Sequence, residues 1–261
     1  MNLAAIRVVL RPRGQAEILD LAALWCFGVD RGLFARLAAI VLLPSLALCA
    51  GARGLLGWSW ADVWLLAAAL ATVTQGVFTV AASRALFACE VAVGDVLRGF
   101  ARRLPAYLGA LVITRGILGL AALTVVLAPP AWARVAFVHE ACLLEGASPI
   151  SAAQRAWGLA RSRGVEVMIL LGGVAIAAAV MVIAAELLGR AAVEFVLQLP
   201  AAFGALAEDY GSYYALLGFH AAIPYIAVAR FLGYIDQRTR GDGWDIQLRF
   251  MALASERGRS S

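Results

Sequence analysis

Lysine is missing from this sequence: all 22 cationic residues are arginine. That excludes a phosphate-binding P-loop of the usual kind, a Schiff-base nucleophile and a lysine general base. Charge of either sign is sparse, at 15% of 261 residues against about a quarter in a soluble domain. Histidine occurs only at His139 and His220. The four cysteines, Cys26, Cys49, Cys89 and Cys142, stand far apart without CxxC spacing, so they read as small hydrophobes and not as a metal or redox centre. The opening MNLAAIRVVLRPRG is interrupted by Arg7, and no small-residue cleavage motif follows it. The expectation is that no signal peptide is removed and that the first membrane helix serves as the insertion signal.

What fills the sequence is apolar. Hydrophobic residues make up 63% of the chain and the mean hydropathy is +0.84. A water-soluble domain of this length has no interior large enough to hide so much Ala, Leu and Val, so lipid is the solvent. A transmembrane helix needs about 20 mostly apolar residues, and five stretches meet or approach that: 33–50, 63–88, 106–128, 165–188 and 213–233. A sixth, PAWARVAFVHEACLLEG over 130–146, is shorter and carries Arg134, His139 and Glu140. Taken alone, it suits a re-entrant or protein-buried segment as well as a crossing.

Arginine placement decides the number. If 130–146 crosses, sixteen of the 22 arginines gather on one side, in the N-terminal arm, the connections 89–105 and 146–164, and the tail. Only Arg53, Arg134 and Arg190 lie opposite, and Arg36, Arg84 and Arg115 fall inside helices. The positive-inside rule then puts both termini in the cytoplasm. Five crossings would send the arginine-rich tail to the wrong face. The expected fold is an all-α integral membrane protein of about six transmembrane helices. Residues 1–32 form a cytoplasmic arm, 33–233 the membrane domain and 234–261 a cytoplasmic tail. Trp58, Trp60, Trp64, Tyr210, Tyr213 and Tyr214 cluster at the proposed outer boundary, where amphipathic rings anchor.

Amphipathic segments recur on the basic side. Ile18, Leu21, Ala22 and Trp25 make one helical stripe, and Ile150, Ala153, Trp157 and Ala160 another, the latter following Ser148 as N-cap and Pro149 in the first turn. Residues 94–105 supply a third, with Val96, Leu97 and Phe100 facing lipid. Three units of basic surface helix followed by a membrane hairpin suggest a loose threefold repeat.

Four motifs carry a family resemblance: RPRGQAEILDLA, the proline-bearing VLLPSLAL, FVHEACLLEGASPISAAQRAWGLARSRG and the tail YIDQRTRGDGWDIQL. In that order the chain resembles bacterial multi-pass membrane proteins related to the membrane domain of glycerophosphodiester phosphodiesterases, a group with stand-alone six-helix members. The catalytic barrel of the fused members has no counterpart here, so the resemblance does not carry phosphodiesterase activity across. What it implies is membership of a membrane assembly that includes other small membrane proteins and an AAA-type ATPase system.

Candidate sites follow from charges in the apolar runs. Arg115 lies about ten residues inside its helix and should face the bundle and pair with an acid. Glu140, on the next helix, is the first choice of partner and Glu90 the second. A structural ion pair and a solute path are both open readings. His139, Glu140 and Glu145 have the look of a metal motif but lack its second histidine, so no metal and no cofactor are expected. Gln75 and Glu186 are single polar groups that can bond neighbouring helices, and Gly172, Gly173, Ala177 and Ala178 permit close helix contact. In the tail, the turn at Gly241–Gly243 and the alternation of Trp244, Ile246, Leu248 and Phe250 with polar residues read as a membrane-face element, not a catalytic pair or a nucleic-acid tail. Docking candidates beneath the membrane are Glu17, Asp20, Arg155, Arg161, Asp236, Arg238, Arg240 and Asp245. The function expected is that of a non-enzymatic inner-membrane scaffold or accessory subunit, partnered by the bilayer and by other subunits or copies of itself. The alternative is a small-solute or lipid transporter.

Overall fold

The computed structural model describes residues 11–88, 90–161, 163–199 and 203–242. Every regular element among them is a helix, and five are long and apolar enough to cross a membrane. Helix α1 spans Gln15–Leu24 and runs through a π-helical turn at Trp25–Val29 into α2, Arg31–Gly54. Helix α3 covers Trp60–Phe87 and α4 covers Val93–Ala122. Two eight-residue helices follow, α5 at Ala128–Val135 and α6 at Val138–Glu145. Next come α7 at Pro149–Ala160, α8 at Gly164–Ala191, the short α9 at Leu206–Asp209 and α10 at Tyr213–Asp242.

Helix directions follow from the contacts. The ring of Trp60 meets Tyr213 at 5.4 Å, so α3 and α10 start together at an aromatic end. Helix α2 runs against them, with Phe34 on Phe78 and Ser45 on His220. Helix α8 is likewise antiparallel to α10, with Leu170 beside Gly233 and Gly189 beside Tyr214. The pair α5–α6 carries the chain back from the end of α4, since Arg103, low on α4, donates to the Gly146 carbonyl just after α6. Three antiparallel hairpins result, and both ends of the described chain lie at the arginine-rich end of the bundle. The return leg differs from the single helix expected over 130–146. It is broken at Ala136–Phe137, where the Ala136 carbonyl accepts from Arg230 Nη2. A side chain inserted into the helical ladder is a standard cause of such a kink.

Local chemistry sets the turns. Ser59 caps α3 by accepting from the Asp62 amide at 3.3 Å. Glu145 ends α6 and Gly146 follows it at φ 66°, the left-handed conformation that glycine adopts freely. Ser148 caps α7 and Pro149 occupies its first turn, as the sequence indicates. Cys26, Cys49 and Cys142 are free and buried. Burial pushes the Cys26 thiol up to about 12, which suits an inert apolar filler.

The amphipathic segments pack on protein more than on lipid. Ile18 and Ala22 of α1 and Trp25 of the turn after it are buried, Leu19 fills the space above Gly173 of α8, and Trp25 meets Phe231 edge-on. In α7 the buried stripe is Ala152, Ala156 and Ala160, while Ile150 and Trp157 are exposed. The third segment is no separate surface helix. Residues 93–105 are the first part of α4, and Val96 and Phe100 are buried in the core instead of facing lipid. Pro105 does not break α4, because the carbonyl it leaves without a helical donor is that of exposed Ala101, at the basic end.

Candidate functional site

Charge penetrates this bundle along the second half of α10. Arg230 stands 17 residues from Tyr213, about 26 Å along the helix at 1.5 Å per residue. Its guanidinium holds Glu140 of α6 in a fork, with Nε to Oε1 at 2.9 Å and Nη2 to Oε2 at 3.1 Å. Glu140 is completely buried. A bidentate pair of this kind fixes geometry as well as charge. His139, beside it, bonds Thr114 of α4 at 3.2 Å and lies edge-on to Tyr107.

Two further clusters continue the seam one and two helical turns on. Glu145 accepts from the Tyr234 hydroxyl and pairs with Arg155 of α7 at 2.7 Å and with Arg238 of α10 at 3.4 Å. Asp236, buried, accepts from the Arg13 amide at 2.8 Å and from Arg240 Nε at 2.8 Å, while Arg240 Nη2 donates to the Arg13 carbonyl at 2.6 Å. The N-terminal arm, α6 and α7 are thus clamped to one helix. At the aromatic end a separate carboxylate, Glu186 of α8, accepts from the Leu206 amide at 3.0 Å and from the Ser212 hydroxyl, fastening the connection before α10.

This arrangement corrects the expected pairing. Glu140 bonds Arg230, not Arg115. Glu90 is exposed and lines a surface hollow with Asp30, Arg36 and Asp95. Arg115 itself is exposed on α4, and among the described residues no acid pairs with it. The adjacency of α4 and its return leg is as expected; the faces that meet are not. The docking residues divide similarly. Asp236, Arg238, Arg240 and Arg155 are engaged inside the chain, and Glu17 pairs with Arg11 and Arg13. Asp20 and Arg161 are exposed. Asp245, Cys89 and the alternating segment 244–250 lie outside the described residues. Arg230, which belongs with the basic-side arginines by its place in the sequence, stands instead inside the bundle on Glu140. Its signal is the run PYIAVARFLGY, in which an arginine is embedded in apolar sequence much as Arg115 is in LVITRGILG.

The chain matches no known protein family, no curated protein and no solved structure.

Replacing Arg115 with Leu is expected to leave the fold intact and to raise stability or membrane insertion, by up to about 3 kcal/mol on insertion scales. The change removes a charge facing outward from a spanning helix and breaks no ion pair. Thermal unfolding in detergent and folded yield from membranes check this; a several-fold drop in yield would contradict it.

Proposed function

We propose that this chain is a non-enzymatic multi-pass protein of the bacterial cytoplasmic membrane, acting as a scaffold or accessory subunit of a larger membrane assembly. The observation that supports this reading most is the closure of the buried charges on one another. Arg230 with Glu140, Glu145 with Tyr234, Arg155 and Arg238, and Asp236 with Arg13 and Arg240 make a fixed brace. A transport path needs polar groups that can exchange their internal partner for a solute or a proton, whereas Glu140, Glu145 and Asp236 are each held by partners within the protein. The transport alternative drew its motive from an Arg115 facing the bundle interior, and Arg115 faces outward.

The surface left for partners is apolar. Helix α8 is the most apolar of the five spans and the least buried, with Val165, Ile169, Ile176, Val180, Ile183 and Leu187 exposed along it. Association between such helices in lipid relies on close packing and not on hydrophobic drive. Extraction into native-like nanodiscs followed by mass determination tests the proposal. A stoichiometric partner chain or a homo-oligomer is expected, and a lone monomer would refute it.

A further inference from the structure

A cavity of about 480 Å³ opens between α3, α4, α6 and α10 near the basic end. Four arginines line it: Arg84 of α3, Arg102 and Arg103 of α4 and Arg238 of α10. Among the described residues no carboxylate lines it, although Glu145 reaches Arg238 from the side at 3.4 Å. Two of the guanidiniums occupy seats made by glycines. A Cβ on Gly99 would stand 2.5 Å from Arg84 Nη2, and one on Gly146 would stand 2.5 Å from Arg103 Nη2. Arg103 Nη1 also donates to the Gly146 carbonyl at 3.3 Å. Arg84 and Arg102 have no acidic partner among the described residues.

Gathering like charges at the mouth of a low-dielectric bundle is unfavourable unless an anion joins them. Guanidiniums match phosphate oxygens in a forked, charge-assisted geometry. The rest of the wall is mostly apolar, with Phe87, Leu144, Phe231 and Ile235 beside Ser83 and Tyr234. The volume suits a phosphate with a small ester group and is too small for acyl chains, which would stay outside it. Basic pockets between transmembrane helices on the cytoplasmic side are suited to anionic headgroups. We propose that this cavity is a binding site for a phosphate group, supplied by an anionic phospholipid of the facing leaflet. The site is independent of the scaffold reading, which concerns protein partners.

Native mass spectrometry of the full chain, in neutral detergent with phosphatidylglycerol, phosphatidylcholine or inorganic phosphate, tests it. One phosphatidylglycerol per chain should be retained in preference to phosphatidylcholine. The double variant Arg84→Gln, Arg102→Gln should weaken retention by roughly thirty-fold, at about fivefold per arginine. Arg98→Gln, on the same face of the membrane but paired to Asp95 outside the cavity, should leave retention unchanged. Gly99→Ala supplies a second test, because its methyl displaces the Arg84 guanidinium without removing charge, and it should also weaken binding. Retention that withstands millimolar phosphate identifies the lipid as the source; phosphate bound in its place identifies a free anion at the same site. Equal retention of both lipids with no bound phosphate, or retention unchanged in both the double variant and Gly99→Ala, overturns the proposal.

Discussion

Glu140→Ala is expected to cost about 3–5 kcal/mol, enough to abolish a monodisperse folded species in mild detergent, because it leaves Arg230 charged and unmatched inside the bundle. Arg230→Ala should be equally damaging, since it strands a completely buried carboxylate. The informative variant is the pair. Glu140→Leu combined with Arg230→Met replaces two matched ions by apolar groups of similar size, a change that is often neutral or stabilising in buried ion pairs. Recovery will be partial, because the Ala136 carbonyl at the α5–α6 break also accepts from Arg230 and loses that donor. A double-mutant cycle by denaturant unfolding should return a coupling energy above about 2 kcal/mol. Single variants that fold as well as the native chain would show that the pair does not brace the bundle.

That pair also marks where sequence reading succeeds and where it stops. The expectation that Arg115, inside an apolar helix, pairs with an acid fails, since it lies exposed without one among the described residues; Glu140 does form an ion pair within the bundle, but with Arg230. The cation came from the wrong helix. Short turns determine which helices are sequence neighbours, so Arg115 on α4 was matched to the return leg beside it. Contact across the bundle depends on helix rotation, and a short apolar window does not encode rotation. Hydropathy alone does not single out the interior helix either: α10 is the most buried of the spans, yet it shares its low hydropathy with the little-buried α4. In lipid the order of soluble proteins is inverted, since apolar α8 faces the solvent and polar side chains turn inward.

Helix ends were less legible than helix cores for a related reason. Hydropathy reports where hydrocarbon lies, so the apolar run at 106–128 captured only part of α4, and 213–233 stopped nine residues short of the end of α10. Both helices continue through polar sequence because protein contacts hold them. Val96 and Phe100 are buried in the core, and Asp236 and Arg240 are clamped by the N-terminal arm. The caps, by contrast, were readable from residue type alone. Ser148 and Pro149 perform local jobs that depend only on their own chemistry.

The glycines of the α8–α10 contact give the second large effect. Gly218→Val is expected to destabilise the fold by several kcal/mol, and Gly218→Ala by about 1–3 kcal/mol, the range for overpacking a filled interior. A Cβ at Gly218 would lie 2.7 Å from the Ala185 Cβ, 2.9 Å from the Met181 carbonyl oxygen and 2.9 Å from the Val182 Cα. Two of those atoms are backbone and cannot rotate aside, so α8 must move away from the helix that carries the charge seam. Gly172, one of the small residues that the sequence offered for close contact, has nothing within 4 Å of its would-be Cβ. Gly172→Ala should therefore be neutral, or stabilising by up to about 1 kcal/mol through helix propensity. Opposite signs at two glycines of one helix pair, read by thermal unfolding, would locate the close approach at Gly218. Equal tolerance at both positions would mean that the two helices do not pack as described.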